Sequence, residues 1–328
     1  MKQLFTKKAS LWFRGLAILM VIASHYAEWW EWFTKSEGHT ELWRQAISSL
    51  GPYGVAIFFL FSGYGIVCSA GNGPMTFAFI RKRVLASYLP YLIVVGIIEA
   101  ISDGFVSLHD FGDYLSGHDY WFMVILFLFY IVFIAVWAIP ANKHIHAVLF
   151  TLFTLGISIY YYRDGSHSFW FISNPAFAVG VLLALYEPFF KKWLKRTRSP
   201  MLVLLTAGMA VSIYYALFSA APSLWTPEKT INTELAAVFV FTLLVVYLAS
   251  DLRYFDPLLP FLGKYSLYLY LTHQFIFMRV INTLDCSFAL RFVAAAVITL
   301  AVSLPFGMLI TFLADRLNGL CMKKKVNT

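Results

Sequence analysis

Apolar runs of about 18 residues or more recur along the whole chain, with only short polar segments between them. Inside a bilayer a run of that kind must satisfy every backbone N–H and C=O within itself, which commits it to helix. Composition agrees: 60% of the 328 residues are hydrophobic and 13% are charged, whereas a soluble domain is about a quarter charged. The chain therefore reads as an all-α, polytopic membrane protein. Ten spans fit, at about 11–33, 47–69, 84–102, 119–139, 146–162, 169–187, 200–219, 232–250, 261–281 and 290–313. No long polar segment is left over, so residues 1–328 read as a single transmembrane domain.

Charge sets the expected orientation. The formal net charge is +8. With the N-terminus placed in the cytoplasm, 19 of the 25 Lys and Arg residues fall in inside segments; Lys35, Arg44, Arg163, Lys229, Arg279 and Arg291 fall outside. That asymmetry follows the positive-inside rule and puts both termini in the cytoplasm. The expected location is the cytoplasmic (inner) membrane, and the basic excess reads as topology within a lipid bilayer, with no nucleic-acid partner. Trp29, Trp30, Trp32 and Trp225 supply an aromatic belt at the outer ends. The first run holds Arg14 and His25 and lacks a small-residue cleavage site, so it reads as a retained helix and not a cleaved signal. Cys68, Cys286 and Cys321 lie far apart, and neither a metal cluster nor a disulfide framework is expected. Gly71 to Pro74 reads as a turn, without the context of a nucleotide loop.

Two residues in the first run stand out. Arg14 and His25 are eleven positions apart, which on a helix is three turns plus about 20°, so they share a face about 16 Å apart along the axis. A cation and a titratable ring are expensive to place inside a membrane, and such residues are functional by default. Glu28 lies one turn beyond His25 on nearly the same face.

Four further segments carry polar groups in a recognisable pattern. Phe58-Phe59-Leu60-Phe61-Ser62-Gly63-Tyr64 places a small pair where another helix can approach closely. Arg81-Lys82-Arg83 precedes Tyr88-Leu89-Pro90-Tyr91; the basic cluster is a topology anchor, and guanidinium and ammonium groups also suit phosphate. His118-Asp119-Tyr120-Trp121-Phe122 opens the fourth span, either as interfacial residues or as contacts to a ligand. Gly263-Lys264-Tyr265-Ser266 leads through Tyr270 to His273, a histidine satisfied between helices or one that contacts substrate. Asn174-Pro175 is expected to kink or break the sixth span.

Arg14-Gly15 with His25, together with these segments in this order, resembles the acyltransferase-3 family of membrane O-acyltransferases, and more closely its short, membrane-only branch. Two positions depart from the family pattern: Ser87, where an arginine commonly precedes the proline, and Leu126, where many members carry a glutamate. The resemblance implies transfer of an acyl group from a cytoplasmic thioester, acetyl-CoA or another acyl-CoA, to a hydroxyl of a cell-surface glycan or lipid-linked sugar. It implies no metal. In that scheme His25 is the general base, with Glu28 either orienting it or sitting as an interfacial carboxylate. Arg14, Arg81, Lys82 and Arg83 hold the donor; His118, Trp121, Tyr270 and His273 contact the acceptor. The alternative from a different class is a flippase or exporter of a polyprenyl-linked sugar or polysaccharide, which would move the glycan unmodified.

Overall fold

A computed structural model of the chain describes residues 3–34, 46–71, 77–102, 107–118, 120–218, 227–252 and 256–323. The described residues are helical, with no strand among them. The helices are α1 (Lys7–Thr34), α2 (Leu50–Ala70), α3 (Phe77–Arg83), α4 (Leu89–Ile101), α5 (Leu108–Ser116), α6 (Trp121–Ala138), α7 (Lys143–Arg163), α8 (Pro175–Leu185), α9 (Glu187–Phe218), α10 (Pro227–Ser250), α11 (Leu258–Lys264), α12 (Ser266–Thr283) and α13 (Phe288–Lys323). A π-helical turn, Val84–Tyr88, joins α3 to α4, and a 3-10 turn, Ser168–Trp170, precedes α8.

Eight segments of the described residues are long and apolar enough to cross a membrane: Lys7–Trp30, Ala46–Ala70, Phe79–Ile101, Trp121–Ala138, Lys143–Arg163, Ser168–Leu185, Thr233–Ser250 and Leu290–Leu313. These match eight of the ten expected spans. The other two, near 200–219 and 261–281, are helical within α9 and across α11 and α12. In α12 the polar side chains Thr272, His273, Gln274, Arg279 and Asn282 dilute the apolar pattern.

The chain packs as two compact units, each discontinuous in sequence. The first comprises Met1–Thr76 and Trp121–Gly263. Its centre is α2, which is apolar on every side and buries most of its length, from Gly51 to Val67. Glycines let its neighbours approach to backbone contact. A Cβ on Gly63 would run into the carbonyl of Phe177 on α8, and one on Gly180 would run into the carbonyl of Leu60. The Ser62-Gly63 notch is thus half of a reciprocal pair. Around it Phe59, Phe129, Phe150 and Phe177 interlock, with ring centroids 4.9 Å apart for Phe129 and Phe177 and 5.6 Å for Phe59 and Phe129. The last residue of that motif, Tyr64, receives the Leu4 N–H at 3.0 Å, and Phe5 packs on its ring, so the start of the chain is tied to α2.

Asn174-Pro175 breaks the sixth span as expected from proline. Residues 171–174 form a turn, and α8 begins at Pro175, where a missing N–H costs nothing. Ser173 donates to the Pro52 carbonyl at 2.8 Å and fixes the break against α2.

The second unit comprises Phe77–Tyr120 and Lys264–Thr328. Here α12 and α13 pack as a pair through side chains. The hydroxyls of Thr272 and Ser303 share a hydrogen bond, and the Tyr268 ring lies over Gly307. The π-helical turn before α4 widens the helix ahead of Pro90, whose ring would clash with a carbonyl in a regular turn. Ser87, the departure noted above, donates back to the Arg83 carbonyl at 3.0 Å.

Candidate functional site

The first unit contains α1 and with it Arg14, His25 and Glu28. Arg14 is fixed from below by packing. Its neighbour Gly15 meets the backbone of Leu259 on α11, and Gly263 meets the Leu11 carbonyl and the Gly15 nitrogen in return. The two glycines that looked like parts of separate motifs are therefore the two sides of one helix crossing. Asp256 secures it: one carboxylate oxygen takes the Leu259 N–H at 2.8 Å and the other takes the Trp12 indole N–H at 2.6 Å. The Leu259 N–H first, and the Trp12 indole with it, hold the Asp256 carboxyl below the usual carboxylate range. Arg14 is half-buried, with its Nε fully enclosed.

His25 is half-buried and stacks on Trp29 one turn later, with ring centroids 5.6 Å apart and planes 29° apart. Ser24 is buried. Its hydroxyl serves the Ser48 carbonyl and, at 3.4 Å, the exposed Glu28 carboxylate. A single hydroxyl proton is shared between these acceptors, so Ser24 is a structural pin between α1 and the start of the second span. Glu28 is thereby tied along its own helix at i,i+4 spacing. Neither the Trp29 stack nor the Ser24 pin was singled out from sequence; the stack lies at four-residue spacing on α1, whereas Ser48 is 24 residues from Ser24. Trp121 opens α6 in this same unit, half-buried against Phe169 at 5.1 Å and Trp170 at 6.2 Å. Leu126, where the family often has a carboxylate, is buried in the apolar core.

The second unit contains the remaining expected residues. Arg81 and Arg83 are half-buried at the end of α3, and the Arg83 guanidinium lies over the Phe79 ring at 5.5 Å. Lys82 lies on α3, and its side chain is outside the described set. His118 is exposed in the turn after α5, its N–H bonded to the Asp113 carbonyl at 3.0 Å; Asp119 lies outside the described residues. His273 is only 2% exposed, and its Nδ1 donates to the Tyr270 carbonyl one turn earlier at 2.6 Å. A carbonyl only accepts, so Nδ1 carries a proton and the lone pair of a neutral ring sits on Nε2. Tyr270 packs against both His273 and Tyr120. Among the described residues no three His, Cys, Asp or Glu side chains cluster as a metal site would require.

Over residues 11–309 the chain matches a family model described as an acyltransferase domain. The protein belongs to the acyltransferase-3 family. The match covers nearly the whole chain and spans both units, and it makes this member a multi-pass membrane acyltransferase. No characterised protein and no solved structure matches the chain significantly.

Proposed function

We propose that this acyltransferase-3 member is an O-acyltransferase, most simply an O-acetyltransferase. In this reading it moves an acyl group from cytoplasmic acyl-CoA to a hydroxyl of a cell-surface glycan or lipid-linked sugar, in the cytoplasmic membrane. The observation that carries the proposal is the family membership over 11–309, joined to a half-buried histidine and an arginine on one face of α1. A sugar hydroxyl is a weak nucleophile at neutral pH, and a histidine can take its proton as the thioester carbonyl is attacked. In this scheme the hydroxyl oxygen forms the new ester bond and the acyl carbon–sulfur bond breaks. The proton passes to His25 and then to the departing thiolate. Direct transfer fits better than an acyl-serine route, because the Ser24 hydroxyl is committed to Ser48 and Glu28.

Trp29 supports the His25 ring, and Glu28 is assigned an orienting role on the same helix. Arg14 is assigned the donor, and the basic cluster Arg81, Lys82 and Arg83 is assigned phosphate binding. His118, Trp121, Tyr270 and His273 are assigned contacts to the acceptor.

The test is transfer of label from radiolabelled acetyl-CoA into glycan and lipid-linked sugar fractions, in membranes carrying the protein or its His25→Ala form. Label that depends on His25 is the expected result. A fully active, normally inserted His25→Ala protein would remove His25 from the mechanism. With acceptor demonstrably present, no transfer from any of a panel of acyl-CoAs would favour export of an unmodified glycan instead.

A further inference from the structure

The short helix α5 lies between the third and fourth expected spans. It begins with its own stop-and-start signal: Ser107 caps the Asp110 N–H at 3.1 Å, and the Asp110 carboxylate takes the Ser107 N–H at 2.8 Å. Its far end does not stay level with the end of α4. The Tyr91 hydroxyl donates to the Tyr114 carbonyl at 2.6 Å, the Tyr114 hydroxyl donates to the Leu92 carbonyl at 2.7 Å, and the Tyr88 hydroxyl donates to the Leu115 carbonyl at 3.0 Å. Gly96 leaves room for the Tyr114 ring.

Leu92 lies nine residues before Ile101, or about 13 Å back along α4. The nine residues of α5 are also about 13 Å long. The chain leaves α4 at Ile101 and, by Tyr114, is back beside the middle of the Phe79–Ile101 span. Tyr120 continues at that level, packed against Tyr91 and Tyr270 and donating to the Leu271 carbonyl at 3.2 Å.

At such a depth polar groups persist only where they are buried in protein or meet water. Those of α5 are not buried. Helical geometry puts His109, Asp110, Asp113 and Ser116 on one arc and Phe111 and Leu115 on the opposite one. The His109 side chain is 83% exposed, and Asp110, Ser116 and His118 are exposed as well. Charge completes the picture. No Lys or Arg occurs between Arg83 and Lys143, while the described helices α4 and α5 carry Glu99, Asp110 and Asp113. A polyanion is repelled from such a surface, whereas a neutral polyhydroxyl compound finds hydrogen-bond acceptors there.

We infer that α5 is a re-entrant half-helix whose polar arc lines a water-filled inlet, opening at the membrane face where α4 ends, through which the hydroxyl-bearing acceptor and not the polyphosphate donor enters. The identity of the solute rests on the acyltransfer reading above; the inlet itself does not.

The experiment uses the full chain in sealed membranes, with Cys68, Cys286 and Cys321 replaced by Ser and single cysteines introduced as His109→Cys, Ser116→Cys or His118→Cys. Two membrane-impermeant thiol reagents are applied from the α4-end face: a small methanethiosulfonate and a maleimide on a bulky polyethylene glycol. The expected result is that position 109 reacts with both, while positions 116 and 118 react with the small reagent only. Reaction of all three with both reagents would make α5 a surface helix, and no reaction at 116 and 118 would make it dry; either overturns the inlet. At Ser116→Cys, where both carboxylates remain, a cationic methanethiosulfonate should outpace an anionic one by about tenfold more than it does with a free thiol. Equal ratios would overturn the exclusion of the donor. Neither readout depends on acyl transfer, so a failed inlet and a failed enzyme are told apart.

Discussion

The two units differ in what lies at their closest helix crossings. In the first, backbone meets backbone: Gly15 with Gly263, and Gly63 with Gly180, bring α1 onto α11 and α2 onto α8 with no side chain between. In the second, α12 and α13 are joined by hydroxyls, Thr272 with Ser303 and Tyr268 with Thr311, and α4 and α5 by tyrosines bonded to carbonyls. Lipid tails are as apolar as leucine, so helices in a membrane associate through close packing or polar bonds and not through a hydrophobic difference. Close packing fixes distance with little slack. Single hydroxyl bonds specify partners yet contribute little each. His25 and His273 follow the same division. His25 rides on a helix clamped at glycines, whereas His273 spends its Nδ1 proton on its own helix.

The largest expected effect separates those histidines. His25→Ala should lower acyl transfer by about 100- to 10,000-fold, the range of a lost general base, while leaving the thermal midpoint in detergent unchanged. His273→Ala should lower the midpoint too, because it opens a buried space between packed helices. If His25→Ala unfolded the protein and His273→Ala did not, the division would be reversed.

Next come the glycines. Gly263→Ala and Gly63→Ala each force a Cβ into a backbone carbonyl, and overpacking of that kind costs about 1–3 kcal/mol; the check is thermal unfolding in detergent. Thr272→Val and Ser303→Ala should each cost less. Their double-mutant cycle should give a coupling of about 0.6 kcal/mol, and at most about 1.7. Polar substitutions costing as much as the glycine ones would erase the contrast between the units.

The smallest effect belongs to Asp256. Its folded carboxyl titrates below its ordinary value because Leu259 N–H and the Trp12 indole favour the charged form. That contribution is complete above the ordinary carboxylate range and is lost as pH falls through the lowered folded value. Thermal midpoints measured from neutral pH downward should fall more steeply for the natural protein than for Asp256→Asn, which starts lower. Parallel curves would show that the Asp256 bonds contribute nothing to the crossing of α1 and α11.

Much of the fold was legible because its signal is local. Membrane helices are specified by length and apolarity, and eight of the ten expected spans reappear as helices that meet both conditions. The break at Asn174-Pro175 was legible for the same reason, since proline acts on its own backbone. The candidate site was legible only as residue types at helical spacing. Arg14, His25 and Glu28 share a helix because eleven and three residues dictate it. Trp29 as the partner of His25 and Ser24 as a pin to Ser48 were not: Trp29 is one of several neighbours at helical spacing, and Ser48 lies 24 residues away on another segment.

By itself, then, the sequence determined an all-helical membrane protein, the acyltransferase-3 motifs in their order, and a histidine and an arginine on one intramembrane face. Only the tertiary structure decided that Gly15 and Gly263 are one contact, that Ser62-Gly63 answers Gly180, and that α5 turns back beside α4. The physical reason is range. Helix formation is written in hydrogen bonds four residues apart. Which glycine meets which carbonyl, and how deep a polar half-helix goes, depend on residues scores of positions away.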